Sequence, residues 1–264
     1  MTDVEFQCSP SPPELAGGVR ELWSLRDTGA MHAGLPKPYV EFVISLAGIH
    51  WWRSAPASEE HRYEVGWVTP IQTSARYARS VGVRRLVGAR IEPWVAQEWL
   101  GPLPDGDGSP PPRLTTLIRG EAKRLRRRLL AAREHDVLHE FSRWLASQRA
   151  LREACAGMAS IRPDETVVGR LAATSNVEPR TFRRTFGRQS GIAPKRWLLL
   201  HRLDAVLRDE RLADPGFPLA QLAADHGFAD QAHLCRDFRR FTGASPKAFR
   251  RRHAAMPPHM LATE

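Results

Sequence analysis

Between positions 39 and 46 the chain reads Tyr39-Val-Glu-Phe-Val-Ile-Ser-Leu46, apolar at almost every step and rich in β-branched and aromatic residues. Alternation at period two puts Val40, Phe42, Ile44 and Leu46 on one face of a strand, and Tyr39, Glu41, Val43 and Ser45 on the other. Similar short runs at 49–53, 63–68 and 81–91, set between turn-forming residues, predict a β-rich region over residues 1–92. Pro93 opens a short helix over 94–100, and the Pro/Gly-rich stretch 103–112 predicts a loop. The period then becomes helical. Leu117, Ala122, Leu125 and Leu129 mark one amphipathic helix; Val137, Leu138, Phe141, Trp144 and Leu145 mark another. Strands followed by a run of helices predict an α+β chain of two segregated domains, 1–150 and 151–264.

The last hundred residues contain a repeat. Phe186-Gly-Arg-Gln-Ser-Gly191-Ile-Ala-Pro194-Lys195-Arg-Trp197 aligns with Phe238-Arg-Arg-Phe-Thr-Gly243-Ala-Ser-Pro246-Lys247-Ala-Phe249 at an offset of 52. Upstream, Val168, Leu171, Ala172 and Ala173 align with Leu219, Leu222, Ala223 and Ala224 at an offset of 51. Each copy reads as helix-turn-helix. Small residues allow close approach of a second helix, and Asn176 or Gly227 tolerates the left-handed turn. Val177 or Phe228 pins that turn, and the second helix opens at Pro179 or after the N-cap Asp230. A helix from Pro194 to the break at Asp214-Pro215-Gly216, of about 18 residues and about 27 Å, joins the units.

Charge gives the repeat a partner. The 264 residues carry 39 basic and 29 acidic side chains, net +10. Of these, residues 160–264 hold 18 basic and 11 acidic, which concentrates the excess in the repeat and points to nucleic acid. No apolar run approaches a membrane span, and the N-terminus lacks a signal-peptide pattern. The three cysteines, Cys8, Cys155 and Cys235, are too few and too scattered for a disulfide framework or a four-cysteine zinc site, so a cytoplasmic location is expected.

The spacing Gly227-Phe…Gln231…His233-Leu…Arg236…Phe238…Gly243…Pro246, with Arg202-Leu203 in the joining helix, resembles the AraC/XylS family of bacterial transcription regulators. Leu35-Pro36, Glu41 and the junction at 90–93 resemble, more loosely, the cupin-like sensor domains joined to that family. The resemblance implies a β-rich cupin-like N-terminal barrel with flanking helices that senses or dimerises. It implies an all-α C-terminal domain with helix-turn-helix units at about 165–190 and 218–243. It also implies double-stranded DNA and a small-molecule effector as partners, a homodimer, and RNA polymerase if the protein activates. Carried over by position, base contacts fall to Arg180, Arg183 and Arg184 in the first recognition helix and to Ala232, His233 and Arg236 in the second. Arginine pairs bidentately with guanine, so the first helix is expected to read a G-containing half-site and the second to be less selective. Lys195, Arg196, Lys247, Arg250 and Arg251, at or after helix starts, are the expected phosphate contacts. Glu178 and Pro218 stand where the family has good caps, so weaker capping is expected at both.

In the N-terminal region Glu41, Trp51, Trp52 and Trp67 are the candidate lining of an effector pocket. The alternative is a set of core tryptophans with Glu41 in a structural pair. His135 and His139 share a helical spacing without a third ligand, and the histidines of the β-region lack a tight metal-binding set, so no metal, cofactor or catalysis is expected. The basic run at 123–128 reads as a solvated helix face, and Cys235 as a bland small residue of the second recognition helix. Two other functions fit the same pattern: a ligand-independent DNA-binding protein with a dimerising N-terminal domain, and a cupin-type enzyme carrying a DNA-targeting module.

Overall fold

The computed structural model describes residues 4–28, 31–104, 106, 108–157, 178–252 and 260–262. The N-terminal part is an antiparallel sheet of β1 (Glu5–Pro10), β2 (Val19–Asp27), β3 (His32–Gly34), β4 (Val40–Arg53), β5 (His61–Tyr63), β6 (Gly66–Thr69) and β7 (Arg76–Ile91). Strand β7 is central, pairing with β2, β3 and β4, while β4 also pairs with β5 and β6. The two runs at 39–46 and 49–53 are one strand, β4, which shifts register between Ser45 and Ile49 and so bends without breaking.

The alternation along β4 decides the layers. Phe42 and Ile44 join Leu22, Val68, Val87, Ala89 and Ile91 in a core packed against helices α1 (Pro93–Leu100), α3 (Gly120–Ala131) and α4 (Val137–Ser147). Val43 lies on the opposite face with Trp23, Leu25 and Leu86, against which Trp67 and Phe6 pack. That second face curls around a cavity lined from all seven strands. Between α1 and α3 lies the short α2 (Leu114–Leu117). Helix α5 (Arg149–Gly157) packs against α1 and α4 of the N-terminal part.

The C-terminal part is helical: α6 (Pro179–Ser190), α7 (Pro194–Arg208), α8 (Leu219–Asp225), α9 (Gln231–Thr242) and α10 (Pro246–Arg252). The joining helix α7 is shorter than the sequence suggests, with 15 residues, or about 22 Å. It ends at Asp209, whose side chain accepts from Arg211 N–H and starts a 3-10 turn over Glu210–Leu212. Trp197, Leu200, Leu203 and Val206 are buried along it, as the periodicity requires. A last strand, β8 (Met260–Ala262), pairs antiparallel with β3 and returns the chain end to the N-terminal sheet.

Candidate DNA-reading helices and ligand cavity

The two repeats build their second helices from the same parts. Gly191 and Gly243 end α6 and α9 at φ 72° and 75°, the left-handed region where glycine carries no Cβ penalty. One residue earlier a hydroxyl locks each end. Ser190 Oγ lies 2.6 Å from the Phe186 carbonyl and 3.0 Å from that of Ile192, and accepts from Ile192 N–H. Thr242 Oγ1 repeats this at 2.7 Å from Phe238 and 3.0 Å from Ala244, accepting from Ala244 N–H. At the other end Asp230 accepts from His233 N–H. Glu178 accepts from Arg180 and Thr181 N–H, which hold its carboxyl below the ordinary value. The expected weakness at Glu178 is therefore corrected, because a longer carboxylate still reaches the freed donors. Pro218 makes no side-chain cap, as its chemistry dictates.

Phe186, Leu234 and Phe238 are buried, which turns the expected reading faces outward. Arg180, Arg183, Arg184, Ala232 and Arg236 are all exposed. His233 is different. Its Nδ1 accepts from Ala229 N–H at 3.3 Å and its Nε2 lies 3.0 Å from Asp237 Oδ2, so both ring nitrogens are engaged within the helix-turn-helix.

Among the expected phosphate contacts, Lys195 and Lys247 are exposed at the first turns of α7 and α10. Arg196 is exposed and donates to Thr73 Oγ1 of the β-domain. Arg250 donates to the carbonyls of Leu212, Pro215 and Phe217, which ties α10 to the turn before α8. The side chain of Arg251, Phe182, and the first helix of the first unit with Asn176 and Val177 lie outside the described residues.

Glu41, Trp51, Trp52 and Trp67 all line one cavity of about 130 Å³. Cross-strand register explains its walls. Glu21, Trp23, Leu25 and Asp27 of β2 stand opposite Arg90, Gly88, Leu86 and Arg84 of β7, so both strands present apolar centres with charged ends. Gly88 is required there, because a Cβ would lie 2.4 Å from Trp23 Cζ2. Arg84 Nε donates to Asp27 Oδ1 at 2.9 Å, and Arg90 pairs with both Glu21 and Glu41. Lys37 also pairs with Glu41. His50 bridges Ser45 Oγ and Ser80 Oγ at 2.7 and 2.8 Å, and burial, with help from Arg84, pushes it down to about 4, leaving a neutral ring. The indole N–H groups of Trp23 and Trp52 are buried without a partner among the described residues, and both residues line the cavity.

The sequence reading missed Trp23 in this wall because it assigned no strand at 19–27. Without that strand nothing turned Arg84 and Arg90 of the expected run at 81–91, or His50 of the run at 49–53, towards a cavity. The alternating Glu-x-Trp-x-Leu-x-Asp and Arg-x-Leu-x-Gly-x-Arg runs at 21–27 and 84–90 were the available signal. Among the described residues no cluster of three histidine, cysteine or acidic side chains is arranged to hold a metal ion. His135 lies in a 3-10 turn beside Asp136 and is exposed, as is His139. In the basic run, Lys123, Arg124, Arg127 and Arg128 are exposed, whereas Arg126 reaches the Ser45 and Leu46 carbonyls.

A helix-turn-helix domain family matches residues 171–252. No curated protein sequence matches the chain. Among solved structures, ToxT from Vibrio cholerae is similar at 8% identity and TM-score 0.42, covering 94% of this chain and 97% of that one. ToxT with a bound unsaturated fatty acid is similar at 9% identity and TM-score 0.44, covering 100% and 98%. The AraC-like transcriptional activator CuxR is similar at 11% identity and TM-score 0.29, covering 90% and 80%. At these scores the likenesses carry no function across.

Proposed function

We propose, from the premise that the C-terminal part of this chain is an AraC-type helix-turn-helix domain, that the protein is a sequence-specific DNA-binding transcription regulator governed by a small-molecule effector. The observation that carries this reading is the repeat itself. Two helices with the same terminal locks at Ser190 and Thr242 turn Arg180, Arg183 and Arg184, and Arg236 with Ala232, to the outside. The joining helix, 15 residues long, holds them within one polypeptide, and a single chain is expected to reach two half-sites in successive major grooves, about 34 Å apart on one face of the duplex.

In this reading Arg183 and Arg236 meet guanine edges, and Arg180 and Arg184 add base or phosphate contacts beside Arg183. Lys195 and Lys247 are the leading phosphate contacts. His233, held by Ala229 and Asp237, positions its helix, and Arg250 braces α10. The division into a sensor over 1–150 and a DNA-binding domain over 151–264 belongs to the same proposal. So do a homodimer through the first part and, for an activator, contact with RNA polymerase. No catalytic step is assigned, and no described helix is long and apolar enough to cross a membrane.

The cavity of the β-domain is the effector site. Its walls are tryptophan and tyrosine, and Lys37, Arg84 and Arg90 already hold carboxylates. The space therefore suits a small apolar molecule. Selection of bound duplexes from a genomic library by the purified full chain tests the function. Recovery of a common two-part motif is the expected result. Recovery of unrelated sequences, bound only at low salt, would overturn it.

A further inference from the structure

Residues 37–41 touch the cavity and the joining helix at the same time. Lys37 and Glu41 line the cavity. Between them, the Pro38 carbonyl accepts from Trp197 Nε1 at 3.0 Å, and the Tyr39 hydroxyl donates to Asp204 Oδ2 at 2.8 Å. Both partners belong to α7, near its start and near its end.

A second route leads from the same wall to the same helix. Glu41 faces Arg90 across β4 and β7, and Arg90 faces Glu21 across β7 and β2. The Arg90 side chain, 4% exposed, bonds both carboxylates. Glu21 then accepts from Arg208 Nη2 at 2.7 Å, and Arg208 Nε donates to Asp204 Oδ1 at 3.2 Å. Arg208 is the last residue of α7. The bonds Lys37–Glu41–Arg90–Glu21–Arg208–Asp204–Tyr39 thus form a ring that closes within residues 37–41. One arc faces the cavity and the other holds the rod between the recognition helices.

We propose that this ring is a latch through which occupancy of the cavity sets the docking of α7 on the β-domain. The proposal rests on the reading of the cavity as an effector site and of the repeat as a DNA-binding unit. A buried arginine shared by two carboxylates does not lose one of them alone. An apolar ligand that pushes on Glu41 or Arg90 cannot replace their partners, so the charges stay paired only if Glu21 and Arg208 also adjust. Residues 37–41 add a mechanical link, since a shift of Glu41 carries Tyr39 and Pro38 with it. Linkage makes the effect reciprocal: a released α7 changes the affinity of the cavity by the same factor.

Hydrogen exchange of the full chain tests this without knowledge of the ligand. Glu41→Gln alters the cavity end of the ring without touching α7, Glu21→Gln cuts its centre, and Arg208→Gln its rod end. Each is expected to raise exchange across residues 194–208, by on the order of tenfold. The Glu41→Gln/Arg208→Gln double variant is expected to exceed neither single one. Lys37→Met, which loosens Glu41 from the exposed side, is a second entry point if Glu41→Gln fails to fold. The latch is overturned if the Glu41 and Lys37 variants change exchange only within the sheet, or if the Glu41 and Arg208 effects simply add. Gel shifts on a duplex selected by the wild type form a second arm, in which Glu41→Gln and Glu21→Gln should move affinity in the same direction. Failure of the wild type to bind any duplex specifically would sink the regulator reading, while the exchange arm would still decide the latch.

Discussion

The two repeats share their internal hydrogen bonds and differ in what surrounds them. Ser190 and Thr242 hold the same carbonyls to within 0.1 Å, and Gly191 and Gly243 adopt the same left-handed turn. Yet α6 leans on the β-domain, where Trp94 of α1 lies 5.8 Å from Phe186 and 5.5 Å from Trp197 between ring centroids. Its counterpart α9 packs on α8 and on Phe249 of α10, inside the C-terminal part. The positions expected to read DNA differ as well: Arg180, Arg183 and Arg184 on α6, against Ala232, an internally bonded His233 and Arg236 on α9. Both helices carry further exposed arginines, Arg188 on the first and Arg239 and Arg240 on the second. Selection for the fold explains what is common. In the proposed reading the differences divide the labour: the first repeat would read DNA while resting on the β-domain, and the second would anchor the C-terminal part.

The largest expected effects come from removing the core phenylalanines. Phe238→Ala should cost about 3–5 kcal/mol and raise hydrogen exchange over 219–252 while leaving α1 protected. Phe186→Ala should also loosen residues 93–100, and an α1 that exchanges as in the wild type would break the comparison.

Acidity should act on the contact between the joining helix and the β-domain. His201 of α7 is buried against Trp197 and Tyr39, and burial, then Arg20, pushes it down to about 3. Because the unfolded chain binds that proton more readily, its contribution is lost as pH falls from about 6.5 towards 3. Glu92 carries the opposite sign. Burial raises it to about 7 despite Arg20, and its Oε2 has no partner among the described residues, so stability is lost as pH rises from about 4.5 through 7. Relative to the wild type, His201→Gln should gain at pH 4.5 and Glu92→Gln at pH 8, each by about 3 kcal/mol at most in urea titrations. Equal curves at both pH values would remove these groups from the account.

The hydroxyl locks should be interchangeable in energy. Ser190→Ala and Thr242→Val each remove the hydroxyl from equivalent carbonyls and take away the acceptor of the Ile192 or Ala244 N–H, for about 1–3 kcal/mol. A loss at only one site in thermal melts would show that the repeats are alike in geometry alone. The smallest effects concern charge. Lys247→Ala should lower the salt dependence of DNA binding by about one counterion, whereas Arg250→Ala should lower stability with the salt slope unchanged.

Much of this was legible in the chain. The period-two face of β4 set Glu41 on the face that lines the cavity. The offset of 52 aligned the second helices of the two repeats and matched Gly191 to Gly243, though not as their caps. Arg250 was read as a phosphate contact because its helix-start position resembles that of its basic neighbours. Its bond to three carbonyls depends on the course of residues 212–217, which no local pattern encodes. The pairing of β8 with β3 and the ring through Arg90 and Arg208 join residues far apart in sequence, and only the assembled sheet brings them together. The wall at 21–27 was encoded but passed over, since charged residues at both ends of the run masked the alternation, and the expected strand at 81–91 was thereby left without its partner.

The most direct test of the central claim is duplex selection with the wild type, Arg183→Ala and Arg236→Ala side by side. The expected result is a bipartite motif with half-sites about one helical turn apart, in which Arg183→Ala flattens preference in one half and Arg236→Ala in the other. Variants that bind more weakly but recover the wild-type motif unchanged in both halves would contradict it.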